Sequence, residues 1–240
     1  MASMLSMSQL KNFTLAAADG EIGRVRDLYI DDETWTVRYL VLDTGNWLPG
    51  RRVLVSPLSF AGTDADRQAI RVDLTRQRVK DGPAIDTAKP VSRQFEAGLA
   101  RYYGYPEYWS GPHRWGLATH PFARPSGPTP TEREILAREE KRRDPHLRSA
   151  REVIGYAIEA VDGAIGHVED FLVDGDTWAV CYIVVDTRNW WPGQKVLVSP
   201  AWFRDVSWSE RSVSVELRRG QIEDAPRQPV GAASWPAVTR

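Results

Sequence analysis

The chain is short of nearly everything that chemistry at a thiol, a metal or a phosphate requires. Among its 240 residues there is one cysteine, Cys181, which excludes an intrachain disulfide and a Cys-rich metal cage. The four histidines, His113, His120, His146 and His167, form neither a His-x₃-His nor a His-Glu-x-x-His set, so they read as surface residues. No Gly-x-Ser-x-Gly elbow, phosphate-cradling glycine loop or dinucleotide fingerprint occurs. No run approaches the roughly 20 apolar residues of a membrane span, and residues 1–8 lack the basic and apolar regions of a secretory leader. These absences predict a soluble, cytoplasmic protein that is not an enzyme and carries neither cofactor nor metal. Lysine plus arginine (31) nearly balance aspartate plus glutamate (32), so no global field draws the chain onto a polyanion.

What the chain does have is a duplication. Residues 12–83 recur without insertion or deletion at 155–226, 143 residues later. Between Asp19 and Pro57, about 23 of 39 positions are identical, which identifies one module copied once. In each copy an Asp-Gly pair, Asp19-Gly20 and Asp162-Gly163, separates two apolar runs and predicts a hairpin. The next strand carries Trp35, Val37, Tyr39 and Val41 at period two, matched by Trp178, Val180, Tyr182 and Val184. Its other face varies, and the change from Arg38 to Cys181 suggests a wet position in the first copy that is partly covered in the second. A further strand, Arg52–Ser56 and Lys195–Ser199, stops at Ser-Pro. Residues 70–74 and 213–217 alternate again, and residues 75–80 and 218–223 predict a helical turn. Short strands, Gly/Pro turns and about 70 residues per unit point to an all-β-dominated chain with two small antiparallel barrels.

The string Asp-Gly-x-Ile-Gly-x-Val-x-Asp, then Thr-Trp-x-Val-x-Tyr-x-Val-x-Asp-Thr, then Asn-Trp-x-Pro-Gly-x-x-Val-Leu-Val-Ser-Pro, resembles the PRC-barrel family. That family includes the cytoplasmic domain of the photosynthetic reaction centre H subunit and, as a related barrel, part of a ribosome-maturation factor. The resemblance covers both repeats and implies a stand-alone tandem arrangement: a barrel at 8–83, a connector at 84–150, a barrel at 151–226 and a flexible tail at 227–240. It also implies docking of protein and supplies no catalytic set.

The connector is too long to be a plain loop. Ser92 can cap a helix whose Phe95, Leu99, Tyr102 and Tyr103 share a face, stopped by Gly104 and Pro106. The helix leads into Tyr105, Tyr108, Trp109 and Trp115, rings that either pack on a barrel or bind a partner. Residues 131–143 predict a charged helix, in which Glu139 and Glu140 dilute the cationic Lys141–Arg143 cluster.

Polar residues kept in both copies, Asp19, Asp27, Asp31, Thr34, Asp43, Thr44, Asn46 and Ser56 among them, read as turn and cap acceptors. Asp27, Asp31 and Asp43 lack EF-hand-like spacing for calcium. The loop Asp43–Gly50, repeated as Asp186–Gly193, puts Trp47 and then Trp190 and Trp191 at a barrel rim, where tryptophan serves either binding or packing. The candidate partner-binding residues are therefore Trp47, Trp190, Trp191, Tyr105, Tyr108, Trp109 and Trp115. The expected function is a non-enzymatic protein-binding or self-associating scaffold; an accessory role in RNA processing or ribosome assembly is the alternative.

Overall fold

The computed structural model describes residues 4–64, 67–83, 93–109, 111–122, 147–187 and 195–223. In the first repeat, β2 (Thr14–Ala17), β3 (Gly20–Asp31), β4 (Thr36–Asp43), β5 (Arg52–Val55), β6 (Phe60–Asp64) and β7 (Ala69–Val72) lie in the order β5-β4-β3-β2-β7-β6. In the second, β9 (Ala157–Ala160), β10 (Gly163–Asp174), β11 (Val180–Asp186), β12 (Lys195–Val198), β13 (Phe203–Ser207) and β14 (Ser212–Val215) take the same order, β12-β11-β10-β9-β14-β13. The sheets are mixed rather than purely antiparallel as expected. β2 pairs β7 in parallel, and β9 pairs β14 likewise. A parallel pair needs a long crossover, and here the four intervening strands supply it.

The shared glycines have separate causes. Gly20 and Gly163 turn their hairpins at φ of +135° and +131°, a region closed to most side chains. Gly23 and Gly166 are needed for close approach: an added Cβ would lie 2.2 Å from the Asp43 carbonyl oxygen and 1.9 Å from that of Asp186. Strand β4 starts one residue later than its alternation predicts. Trp35 sits before it at φ 49°, and Trp178 occupies the matching position at φ 59°. From Thr36 to Leu42, β4 is buried on both faces, so neither face is the outer surface that the alternation implied.

The two compact units do not coincide with the two repeats. One contains Gln9–Arg148 with Asp176–Trp178; the other contains Met1–Ser8, Ser149–Gly175 and Ala179–Arg240. Strand β1 (Met4–Ser6) therefore belongs with the second repeat, pairing antiparallel with β10 through Met4↔Asp174, Leu5↔Val173 and Ser6↔Leu172. Met4 packs with Tyr182 on the buried cluster of Leu172, Val184 and Leu197. Its counterpart 143 residues on, β8 (Leu147–Ser149), pairs instead with β3 of the first repeat. Each sheet thus takes its seventh strand from the other copy of the sequence, the pattern of a strand exchange within one chain. Short helices, α1 (Met7–Leu10) and α4 (Ala150–Val153), follow the exchanged strands. Ser149 caps α4, its Oγ accepting the Glu152 N–H at 3.1 Å. Two further helices, α2 (Arg76–Asp81) and α5 (Arg219–Glu223), stand at equivalent places, and α3 (Arg93–Tyr103) is the expected connector helix. The Ser92 cap, the 131–143 helix and the 227–240 tail fall outside the described residues.

Removing residues 1–6 tests the exchange. Amide exchange should accelerate by at least about tenfold at Phe171–Asp174 and stay unchanged at Leu28–Asp31. Acceleration confined to Leu28–Asp31 would show that β1 completes the sheet of its own repeat.

Candidate functional site

Two places gather the residues that the sequence singles out, and they differ in kind. The first is the described part of the connector, residues 93–109 and 111–122, which belongs to the first-repeat unit. Arg38, expected to be wet, is only 2% exposed, which overturns that half of the inference, whereas Cys181 is partly covered as expected. The reason is a buried ion pair. Arg38 Nη2 and Nε donate to Asp31 Oδ2 at 2.8 and 3.1 Å, and Nη2 also donates to Thr34 Oγ1 at 3.0 Å. The Arg114 carbonyl takes a further bond from Arg38 Nη1. The guanidinium lies 3.8 Å from the Tyr108 ring centroid and 5.0 Å from that of Trp115, close enough for strong cation–π attraction in a dry site.

The rings are held in turn. Tyr108 donates to Glu96 Oε1 of α3 at 2.7 Å, and the Glu96 charge also acts on buried Tyr39. Trp115 Nε1 donates to the Thr177 carbonyl at 2.9 Å within the same unit. Tyr105 shares a hydrogen bond with Ser59 and stacks on Tyr103 at 5.2 Å, while Trp109 meets Tyr108 edge-on at 4.9 Å. Tyr108 and Trp115 are buried, at 6% and 1% exposure. Tyr105 and Trp109 are partly covered.

Electrostatics follow the burial. Desolvation would raise the Asp31 carboxyl, but the Arg38 charge, the Arg38 hydrogen bond and Thr34 together hold it below its ordinary value. Tyr39 and Tyr108 are pushed well above the usual phenol value by burial and then by the Glu96 charge. Tyr103 rises to about 12, chiefly through burial.

The second place is a cleft of about 450 Å³ at the rim of the first repeat, lined by Glu21, Ile22, Gly23, Arg24, Arg26, Asp43–Trp47 and Arg76. Trp47 ends a 3₁₀ turn, Gly45–Trp47. Thr44 steadies that loop, its hydroxyl lying 2.7 and 2.8 Å from the Leu48 and Arg51 carbonyls, which share its one proton. The indole Nε1 donates to the Ile22 carbonyl at 2.6 Å, which anchors one edge of a half-buried ring. Arg76, at the start of α2, places its guanidinium 4.5 Å from the Trp47 ring centroid. Asp43 is engaged on both oxygens, by the Gly45 N–H at 3.0 Å and by Arg26 at 3.1 Å. Those contacts, the Gly45 bond foremost, lower its carboxyl below the ordinary value. Trp190 and Trp191, the equivalent rim rings, lie outside the described residues.

Sequence reasoning found Trp47 but missed Arg24 and Arg76. Arg24 carried one signal, its replacement by His167 in the second copy; Arg76 carried none, because Arg219 matches it. Among the described residues, no group of three or more His, Cys, Asp or Glu side chains is placed to hold a metal ion.

Comparison with known proteins agrees with this architecture. Residues 3–79 match the family described as "PRC-barrel domain", so the first repeat carries a PRC-barrel domain, and the second repeats its strand order. The matched stretch includes β1, the strand that completes the other sheet. An uncharacterized protein of Deinococcus radiodurans is 34% identical over 97 residues, covering 33% of this chain and 35% of that protein. The chain thus spans about a third of the length of this curated relative.

The Arg38 cluster yields two expectations. Arg38→Cys, which installs the second repeat's residue, should cost roughly 3 kcal/mol by leaving a buried carboxylate without its cation. Because the folded Asp31 value is depressed, its contribution is full above the unfolded value of about 3.9 and is lost as pH falls through the folded value. The melting-temperature gap between wild type and Arg38→Cys should therefore be largest near neutral pH and narrow as acid protonates Asp31, below the unfolded value of about 3.9. For the tyrosines the sign is opposite. Their raised values favour the neutral phenol in the fold, so stability falls as pH rises past about 10. Phenolate absorbance should accordingly show part of the tyrosine signal appearing only with alkaline unfolding.

Proposed function

We propose that the protein is a non-enzymatic, cytoplasmic docking module that holds a protein partner at the rim of its first repeat. The observation that supports this reading most directly is the cleft beside Trp47. It combines a half-buried aromatic anchor, one edge of which is fixed by a backbone bond, with arginine side chains around it. Aromatic anchors ringed by arginine are the composition that dominates binding energy at protein interfaces. The residues lining this cleft include no nucleophile paired with a base. The presence of a PRC-barrel domain supports the same reading. No described helix is long and apolar enough to cross a membrane.

The other aromatic candidates take a structural part in this reading. Tyr108 and Trp115 are committed to Arg38, and Tyr105 to Ser59. The test is affinity capture on the purified full-length chain with chemical crosslinking and light scattering. A partner protein, or a second copy, should crosslink at the 43–50 loop, and Trp47→Ala should reduce its retention by about tenfold or more. A strict monomer that retains no protein, or retention indifferent to Trp47, would refute the proposal.

A further inference from the structure

The two repeats use their equivalent arginines differently. In the second, Arg219 turns onto its own hairpin: Nε and Nη2 donate to the Ala164 carbonyl at 3.0 and 2.7 Å. In the first, the matching acceptor is the Glu21 carbonyl, but Arg76 makes no such bond. Its Nε is buried without a hydrogen-bond partner, and the guanidinium lies against the Trp47 indole instead. Both arginines have their backbone N–H held by the hairpin aspartate, Asp19 at 2.7 Å and Asp162 at 2.8 Å, so the helix start is the same and only the side chain diverges.

The surrounding charge diverges in the same direction. Arg24 and Arg26 of the first rim are replaced by His167 and Glu169 in the second, where Glu169 pairs with Lys195 at 2.6 Å. In the first rim Arg26 is occupied by Asp43. Arg24 is exposed and has no hydrogen bond or ion pair among the described residues. The cleft therefore presents two guanidinium groups not engaged in ion pairs, one of them 4.5 Å from an indole centroid. Guanidinium forks favour planar oxyanions and bind them bidentately. The lining holds three arginines against Glu21 and Asp43, a surplus of one positive charge, which suits a monoanion better than a dianion.

We propose that this cleft is a carboxylate-binding subsite for an acidic peptide segment, with the carboxylate held by Arg76 and Arg24 and the adjoining apolar side chain laid beside Trp47. The assignment rests on the docking reading and adds the chemistry of the partner. In the second repeat the matching arginine is not available for this, because Arg219 is spent on its own backbone.

The test uses the full-length protein and nuclear magnetic resonance of the Trp47 indole and Arg76 Nε–H signals. The probes are acetyl-Glu-Leu-Glu-Leu-amide, its glutamine counterpart, inorganic phosphate and an oligouridylate. The glutamate peptide should shift both signals, bind at least about fivefold more tightly than the glutamine peptide, and weaken about threefold or more between roughly 50 and 300 mM salt. Arg76→Ala and Arg24→Ala should each weaken it about fivefold or more, Arg76→Lys should fall between, and Arg219→Ala should stay within about twofold. Arg219→Ala also serves as the control for removing a matching arginine, and circular dichroism confirms that each variant is folded. Equal binding of the glutamine peptide, equal loss in Arg219→Ala, or tighter binding of phosphate or oligouridylate at Trp47 would overturn the carboxylate assignment. If the glutamate peptide fails while Trp47-dependent capture of a protein persists, only the carboxylate chemistry falls; loss of both removes the docking reading as well.

Discussion

The first-repeat unit is organised around one buried cation. Arg38 leaves water almost completely, and a guanidinium so placed is tolerable only if every side of it is answered. Asp31 supplies the counter-charge, Thr34 and the Arg114 carbonyl each take a further donor, and Tyr108 and Trp115 lie against it. To deliver those groups, the connector must fold back on β4. Glu96 on α3 fixes Tyr108, and the Thr177 carbonyl fixes Trp115. A residue that varies between the repeats thus gathers Tyr108, Arg114 and Trp115 of the connector around itself. Where the second repeat has Cys181, there is no such cation to cover.

The burial of Tyr108 and Trp115 answers, for those two rings, a question left open by composition. A dense run of rings between two domains reads equally well as a sticky surface or as glue, since the hydrophobic effect does not distinguish one covering surface from another. The deciding residue lies more than 60 positions upstream, on a strand whose alternation suggested solvent. Local pattern assigns a face to Arg38 but cannot assign the partner that covers it. By contrast, the hairpins, the Ser-Pro strand ends and α2, α3 and α5 are set by local chemistry. Those elements were legible, and so was the family resemblance they carry.

Strand exchange was illegible for a related reason. Repeat 1 and repeat 2 each contain a β1-like segment and a long acceptor strand, and self-similarity leaves either pairing open. Residues 4–6 and 147–149 satisfy the same backbone groups whichever copy they join, so the choice rests on the path of the chain through α1 and α4. The parallel pairs β2–β7 and β9–β14 were hidden likewise, since a strand's side-chain alternation carries no record of its neighbour's direction. At the rim, Trp47 announced itself by residue type. Arg76 did not: it lies 29 positions away on another element, and its distinction from Arg219 is one of side-chain direction alone, which identical residue types conceal.

Under the proposed function the buried rings Tyr108 and Trp115 are structural and the Trp47 rim is the recognition surface. Oxidative footprinting of the purified, folded chain measures that division directly, ring by ring. Trp47 should be modified in the native state while Trp115 and Tyr108 stay protected until the protein unfolds. Oxidation of Trp115 as readily as Trp47 under native conditions would contradict it, because the cover over Arg38 would then be open to solvent.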